Sequence, residues 1–212
     1  MTNRRRSLLI LTLALLAPAV VASASGSDSA LARQTLAPVT AADRSIGRAN
    51  APVTVVEYAS FACHVCADWH ELVWPVFKQR FVDTGQVRFV FRNLPTQPEE
   101  LSLSGAALAR CAVPERFFDV TAALMHGQAA VLRGGTRDAW YAPAIAVSGR
   151  TRAQIDACVA TPATRAAITR DIDSADAADV HHTPSFFVNG RRVTDRSLGG
   201  LEVAIRAAAA AR

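Results

Sequence analysis

The feature that most constrains the fold of this chain is a pair of cysteines, Cys63 and Cys66, placed where an extended segment gives way to a helical one. The segment before them, residues 52–58, is rich in β-branched residues and predicts a strand. Large apolar residues recur at helical spacing over residues 69–81, which predicts a helix that starts near the cysteines and is kinked or divided at Pro75. Two thiols three positions apart in the first turn of a helix lie on one face, close enough to form a disulfide.

The expected position of Cys63 favours a reactive thiol. A cysteine at the start of a helix meets unpaired backbone N–H groups and the positive end of the helix dipole, and both stabilise a thiolate. Such placement lowers a thiol pKa from about 8.5 to roughly 3.5–7.5, and the thiolate is the nucleophile in disulfide exchange. We therefore expect Cys63 to form a mixed disulfide with a client and Cys66 to resolve it.

Two further side chains are candidates for the same site. His64 adds positive charge beside the first thiol if it is protonated, or is a solvated residue of the turn with little effect. Glu57 lies on the strand that leads to the cysteines. It is either a buried acid that relays a proton to the second thiol or an exposed residue on the other face of the strand. Alternation does not decide between these two, because Val55 and Val56 are both apolar.

The cysteine pair has two competing interpretations: a structural disulfide, or a metal site with His70 as a third ligand. Structural zinc sites usually have four ligands, often from a second pair of closely spaced cysteines or histidines. The sequence has no second such motif, although His181 and His182 would contribute if the fold brought them near. We expect no bound metal and no cofactor, because the cysteine sulfurs themselves exchange the electrons.

The remainder of the chain predicts a second strand, a helical block, a hairpin and a last helix. Residues 87–92 alternate as a strand, and because a helix connects them to the first strand, the two strands should be parallel. Residues 98–179 are alanine-rich, with breaks that divide them into four or five helices. The Asn189–Gly190 pair between two short strand-like runs predicts a hairpin. Residues 198–211 predict the final helix.

The N-terminus has the pattern of an export signal. Three arginines at positions 4–6 precede an apolar run over residues 8–21, and the small residues at 22–24 resemble a cleavage site. The apolar run is too short to cross a bilayer comfortably, so we expect residues 1–24 to be a removed signal peptide rather than an anchor. Residues 25–45 are small and polar and predict a flexible linker. Export would place the chain in the periplasm or outside the cell.

Export bears on charge and on the remaining cysteines. Loss of the three N-terminal arginines lowers the formal net charge from +5 to about +2, which gives no indication of nucleic-acid binding.

Disulfides persist in an oxidising compartment. Cys111 and Cys158 both lie in the helical block, so we expect them to form a structural disulfide. The alternatives are buried free thiols or a second redox pair.

Two separate stretches resemble the DsbA-like branch of the thioredoxin superfamily. Residues 57–66, Glu-Tyr-Ala-Ser-Phe-Ala-Cys-His-Val-Cys, resemble its strand, loop and active-site motif, and residues 183–190, Thr-Pro-Ser-Phe-Phe-Val-Asn-Gly, resemble its cis-proline loop and hairpin. Two motifs in the right order are more specific than either alone. The resemblance implies an α/β thioredoxin fold with a first half at residues 46–97, an inserted helical domain at 98–179 and a second half at 180–212.

The resemblance also implies roles for individual residues. The Thr183–Pro184 peptide bond should be cis and lie beside the first cysteine, with the Thr183 backbone free to pair with an extended client segment. Glu57 matches the family's buried acid under the active site. Family members often have a histidine directly before the second cysteine, whereas this chain has Val65 there and His64 one position earlier. These two residues tune the redox potential.

Together these features predict an enzyme: a monomeric thiol–disulfide oxidoreductase that introduces disulfides into reduced, newly exported proteins. A membrane partner that reoxidises or reduces the cysteine pair would complete its cycle. The alternatives are a disulfide isomerase or reductase, and a non-enzymatic metal-binding or holdase module on the same scaffold. Known isomerase-type relatives dimerise through a dedicated N-terminal domain, and residues 25–45 are too few to form one.

Overall fold

The structure is a computed structural model that describes residues 36–211. The predicted signal peptide, residues 1–24, and the first part of the predicted linker lie outside these residues. Among the described residues, no helix has the length and apolar character needed to cross a membrane.

The strands of the described residues form one five-stranded sheet in the order β1-β3-β2-β4-β5. Their bounds are β1 Arg44–Ile46, β2 Val53–Ala59, β3 Val87–Asn93, β4 Ser185–Val188 and β5 Arg191–Val193. β2 and β3 are parallel, which confirms the prediction from their helical connection, and the other neighbouring pairs are antiparallel. β2 is therefore the central strand, and its carboxyl end leads directly to the cysteines.

The helices are α1 His64–Leu72, α2 Trp74–Phe77, α3 Glu99–Arg110, α4 Phe117–Leu132, α5 Arg137–Ala146, α6 Arg152–Val159, α7 Pro162–Ala177 and α8 Leu198–Ala210. A π-helical turn, Lys78–Val82, continues α2, and a 3-10 turn, Pro114–Arg116, precedes α4. The predicted division of the first helix is confirmed. Pro75 lies in the first turn of α2, where its missing backbone N–H breaks no helical hydrogen bond. Five α-helices lie between residues 98 and 179, within the predicted number.

The N-terminal end of the described chain differs from the predicted linker. Residues 44–46 form the edge strand β1, which pairs with β3. The buried guanidinium of Arg92 on β3 donates hydrogen bonds to the Asp43 carboxylate at 2.8 Å and to the carbonyls of Ala37 and Pro38 at 3.1 Å. A buried charge needs such partners. The segment before β1 is therefore held on the sheet by polar contacts as well as by the packing of Leu36 and Val39 against the apolar cluster around Tyr58.

Apolar layers cover both faces of the sheet. On one face, Trp69 stacks on Phe89 with ring centroids 6.0 Å apart. On the other, Tyr58 packs edge-on against Phe187 at 6.0 Å. Almost every residue of β2 is buried as a result, whichever face it points to. This is why alternation in the sequence could not assign Glu57 to a face.

The predicted hairpin joins β4 and β5 through Asn189 and Gly190. Both residues have positive φ, 46° and 80° respectively, the backbone conformation that Asn-Gly adopts at low cost. The Asn189 side-chain oxygen also accepts the backbone N–H of Thr54 at 2.8 Å. The turn is thereby attached to β2, which fixes β4 beside the strand that carries the cysteines.

Candidate active site

Cys63 and Cys66 lie at the carboxyl end of the central strand, where α1 begins. Cys63 is the N-cap residue of α1, and its carbonyl accepts the backbone N–H groups of Cys66 and Ala67, each at 3.1 Å. Both cysteines are free thiols in this structure. Cys63 is partly buried, whereas Cys66 is 0 % exposed. Only the first thiol is therefore accessible to another molecule.

The surroundings of Cys63 stabilise its thiolate. A hydrogen bond from the Cys66 thiol is the largest influence, and together with the Thr183 side chain and the backbone N–H groups of Cys66 and Val65 it lowers the pKa of Cys63 to about 5, against the opposing effect of burial. At neutral pH Cys63 is accordingly ionised. An ionised thiol is both the attacking nucleophile and the better leaving group in disulfide exchange.

The pKa of Cys66 moves in the opposite direction. Burial raises it well above the ordinary value, and the hydrogen bond that Cys66 gives to Cys63, the charge of Cys63 and the charge of Glu57 raise it further. Cys66 therefore keeps its proton in the reduced protein. The pair is asymmetric, with an accessible thiolate at Cys63 and a buried, protonated thiol at Cys66.

The cis-proline loop lies against the first thiol. The Thr183–Pro184 peptide bond is cis, as the resemblance implied. The Cys63 sulfur lies 3.4 Å from the Thr183 carbonyl oxygen. Pro184 is buried and Thr183 is partly exposed. The structure thus brings together Cys63, Thr183 and Pro184 from positions more than a hundred residues apart.

Glu57 is completely buried and is paired with a histidine. Its Oε2 lies 2.9 Å from Nε2 of His70, which is 5 % exposed. Its other oxygen, Oε1, has no hydrogen-bond partner among the described residues. The charge of Glu57 contributes to the raised pKa of Cys66, the second thiol. A buried carboxyl with one unpartnered oxygen is suited to exchange a proton with that thiol.

The other histidines do not assemble around the cysteines as a ligand set. His64 is exposed at the first position of α1, and His181 is bonded to Asp179 at 2.8 Å. His182 is exposed in the segment before Thr183. Within residues 36–211, no group of three or more His, Cys, Asp or Glu side chains is placed to hold a metal ion.

One residue of the site was missed by sequence analysis. Gln128 on α4 is buried, and its Nε2 donates hydrogen bonds to the carbonyls of Phe61 at 2.8 Å and Cys63 at 3.1 Å. Gly105 lets α3 pack closely on Phe61 in the same turn, because a Cβ at position 105 would lie 2.7 Å from the Phe61 Cβ. The inserted helices therefore hold the turn that carries Cys63. A single glutamine in a helical segment gives no sequence signal for such a contact.

Comparison with known proteins shows which family has this architecture. Residues 40–207 match the protein family described as Thioredoxin. The chain belongs to the thioredoxin family. Among solved structures, this thioredoxin-family chain is similar to alpha-DsbA1 of Wolbachia pipientis, with a TM-score of 0.73 and 22 % identity, over 85 % of this chain and 96 % of that one. BdbD of Bacillus subtilis has a TM-score of 0.71 and 18 % identity, over 83 % and 97 %. These two likenesses concern the fold.

Two curated relatives of this thioredoxin-family chain match parts of it. A segment of 64 residues is 38 % identical to "Probable disulfide bond formation protein D" of Bacillus cereus and covers 30 % of each protein. A longer segment of 156 residues is 33 % identical to "Na(+)/H(+) antiporter NhaA 3" of Salinispora tropica, over 71 % of this chain and 22 % of the antiporter. The chain thus spans less than a third of the length of either relative.

Proposed function

We propose that this chain is an enzyme, a thiol–disulfide oxidoreductase that introduces disulfides into reduced, exported proteins through Cys63 and Cys66. The observation that carries the proposal is the asymmetry of the two thiols. An accessible thiol with a pKa of about 5 beside a buried thiol with a raised pKa gives one sulfur for contact with clients and one that closes the internal disulfide. A purely structural disulfide needs neither property.

Disulfide transfer proceeds in two exchanges. A client thiolate attacks the Cys63 sulfur of the Cys63–Cys66 disulfide, that bond breaks, and Cys66 leaves with the electron pair and takes up a proton. A second client thiolate then attacks the client sulfur of the mixed disulfide, so the client disulfide forms and Cys63 leaves as a thiolate. Two electrons pass from the client to the enzyme. The low pKa of Cys63 favours this direction, because a stable thiolate is the better leaving group.

Three further residues have proposed roles in this cycle. Glu57 exchanges the proton that Cys66 gains or loses, since it is buried with one oxygen unpartnered and its charge raises the pKa of that thiol. Thr183, held by Pro184 beside the Cys63 sulfur, pairs through its backbone with an extended client segment. His64, exposed next to Cys63, adds positive charge beside the thiolate when it is protonated.

The location of the thiol at the surface favours a macromolecular client. Cys63 is partly exposed, and its sulfur lies 3.4 Å from the carbonyl oxygen of Thr183, which is itself partly exposed. An extended protein segment can therefore reach the thiol and pair with the backbone beside it. We propose reduced exported proteins as clients, a membrane partner that restores the oxidised pair, a monomeric state, no nucleic-acid partner, and a periplasmic or secreted location.

The proposal is tested by mixing the oxidised protein with a reduced, unfolded ribonuclease. We expect the ribonuclease to gain disulfides while an equal number of Cys63–Cys66 disulfides is lost, and faster than with glutathione disulfide at the same concentration. Mass spectrometry after alkylation of the remaining thiols counts the disulfides gained by the ribonuclease and those lost by the protein. The control is the same protein with Cys63 alkylated beforehand. A client that stays reduced while the Cys63–Cys66 disulfide persists contradicts the proposal.

A further inference from the structure

A cationic side chain lies beside the cis-proline loop and has no role in the reaction described above. Arg196 lies in the loop between β5 and α8, and its Nη1 is 3.5 Å from the Pro184 carbonyl oxygen. Pro184 directly follows Thr183, whose own carbonyl oxygen contacts the Cys63 sulfur. The guanidinium group therefore borders the surface where a client must approach Cys63.

The topology of the sheet accounts for this position. β4 is antiparallel to β2, and β5 is antiparallel to β4, so β5 and β2 run in the same direction. The loop that leaves the carboxyl end of β5 consequently lies at the same edge of the sheet as the turn that carries the cysteines. The backbone of this loop is fixed as well, because the indole N–H of Trp69 on α1 donates to the Arg196 carbonyl at 3.1 Å.

The charge of Arg196 is available to a binding partner. Among the described residues, no carboxylate lies within the 4.0 Å that defines an ion pair with it. The neighbouring Asp195 carboxylate instead accepts the backbone N–H of Ser197 at 3.0 Å. The contact of Arg196 with Pro184 is long for a hydrogen bond, and it involves only one of the guanidinium nitrogens, Nη1. The side chain is exposed, so a client carboxylate can reach it.

We propose that Arg196 selects clients that carry an acidic side chain next to the reacting cysteine. The inference rests on the proposed function, because it assumes that a client thiol reacts at Cys63. A client carboxylate within reach of the exposed guanidinium gains a charge-assisted hydrogen bond, while a lysine or arginine at the same place of the client is repelled. Arg196 thus acts on the choice and approach of the client and takes no part in the exchange of electrons.

The test compares short peptides that contain one cysteine flanked by glutamate, glutamine or lysine. The rate at which each peptide reduces the oxidised protein is measured for wild type, Arg196→Gln and Arg206→Gln. Arg206 is the matched control, because it is an exposed arginine on α8, ion-paired with Glu202, and its replacement changes the net charge equally. For each protein, the rate with the glutamate peptide is divided by the rate with the glutamine peptide. The two peptide thiols differ in pKa, but this difference affects the ratio equally in all three proteins and so does not affect the comparison between them.

We expect the wild-type ratio to exceed the Arg196→Gln ratio by about two- to fivefold at low ionic strength, as is typical of an exposed ion pair. The excess should disappear in concentrated salt, and Arg206→Gln should keep the wild-type ratio. The proposed selection would be overturned if wild type and Arg196→Gln had equal ratios, or if Arg206→Gln lowered the ratio as much as Arg196→Gln does. Either result would leave the proposed disulfide exchange at Cys63 intact. If the glutamine peptide does not reduce the wild-type protein at all, the proposed function and the selection both fail.

Discussion

Cys63→Ser is expected to lower the rate of disulfide transfer to a reduced client to that of the uncatalysed reaction, a loss of about three orders of magnitude or more. A serine oxygen cannot form the mixed disulfide, and the remaining thiol, Cys66, is 0 % exposed and has a raised pKa. The substitution should leave the fold intact, because the Cys63 backbone, whose carbonyl accepts the first hydrogen bonds of α1, is unchanged. The rate is measured with the reduced ribonuclease described above.

Cys66→Ser is the informative control for this loss. It retains the Cys63 nucleophile but cannot form the Cys63–Cys66 disulfide. Mixed with a client that already contains a disulfide, its Cys63 thiolate should attack one client sulfur and release the other client thiolate, and the resulting covalent complex should persist, because no Cys66 thiol can displace the client. The complex is visible by non-reducing electrophoresis. Near-ultraviolet circular dichroism establishes that both variants are folded. A Cys63→Ser protein that oxidises the client at the wild-type rate would contradict the assignment of Cys63.

Joint replacement of Cys111 and Cys158 by alanine is expected to lower the free energy of unfolding by about 4 kcal/mol. The structure has a disulfide between these residues, 47 positions apart, which joins the end of α3 to α6. A cross-link over this length restricts the unfolded chain and so stabilises the folded one. Alanine is chosen because Cys111 is buried, and a serine there would add the cost of burying a hydroxyl group.

The loss is measured by urea unfolding, with the Cys63–Cys66 pair oxidised in both proteins so that only the second disulfide differs. The Cys111–Cys158 pair is distant in sequence from the reactive turn, and the variant should still transfer disulfides at temperatures where it is folded. A change of less than about 1 kcal/mol, which is ordinary for any substitution, would show that the bridge adds little to stability.

The parts of the fold that the sequence predicts are those with local signals. The β-branched run before Cys63, the apolar spacing after it and the Asn189–Gly190 pair each determine structure within a few residues, and β2, α1 and the β4–β5 hairpin follow them. The parallel pairing of β2 and β3 follows from the helical connection between them. Pro75 divided the helix because proline is suited to a first turn and unsuited to the interior.

The parts that the sequence did not predict depend on contacts between distant residues. β1 has only three residues, too few for an alternating pattern, and its preceding segment is held by the buried Arg92. The burial of Glu57 depends on helices packed on both faces of β2, and its pairing with His70 follows only once α1 lies across the sheet. Gln128 reaches Cys63 from the inserted helices, and this contact has no counterpart in local sequence.

The reduction potential of the Cys63–Cys66 pair, titrated in glutathione buffers from pH 4 to pH 8, tests the central claim most directly. Because its pKa is about 5 instead of the roughly 8.5 of an ordinary cysteine, Cys63 stabilises the reduced protein fully above about pH 8.5. This contribution declines as the pH falls and is lost below about pH 5. Reduction then takes up one proton above pH 5, at Cys66, and two below it. The potential should therefore rise by about 30 mV per pH unit of acidification above the break and about 59 mV below it.

We predict a reversible titration at pH 7 with a potential of about −120 to −180 mV, as for a protein that donates disulfides. A value near about −270 mV would instead indicate a reductant that a partner keeps reduced. That value, or the absence of any reversible titration, would contradict the claim that Cys63 and Cys66 introduce disulfides into clients.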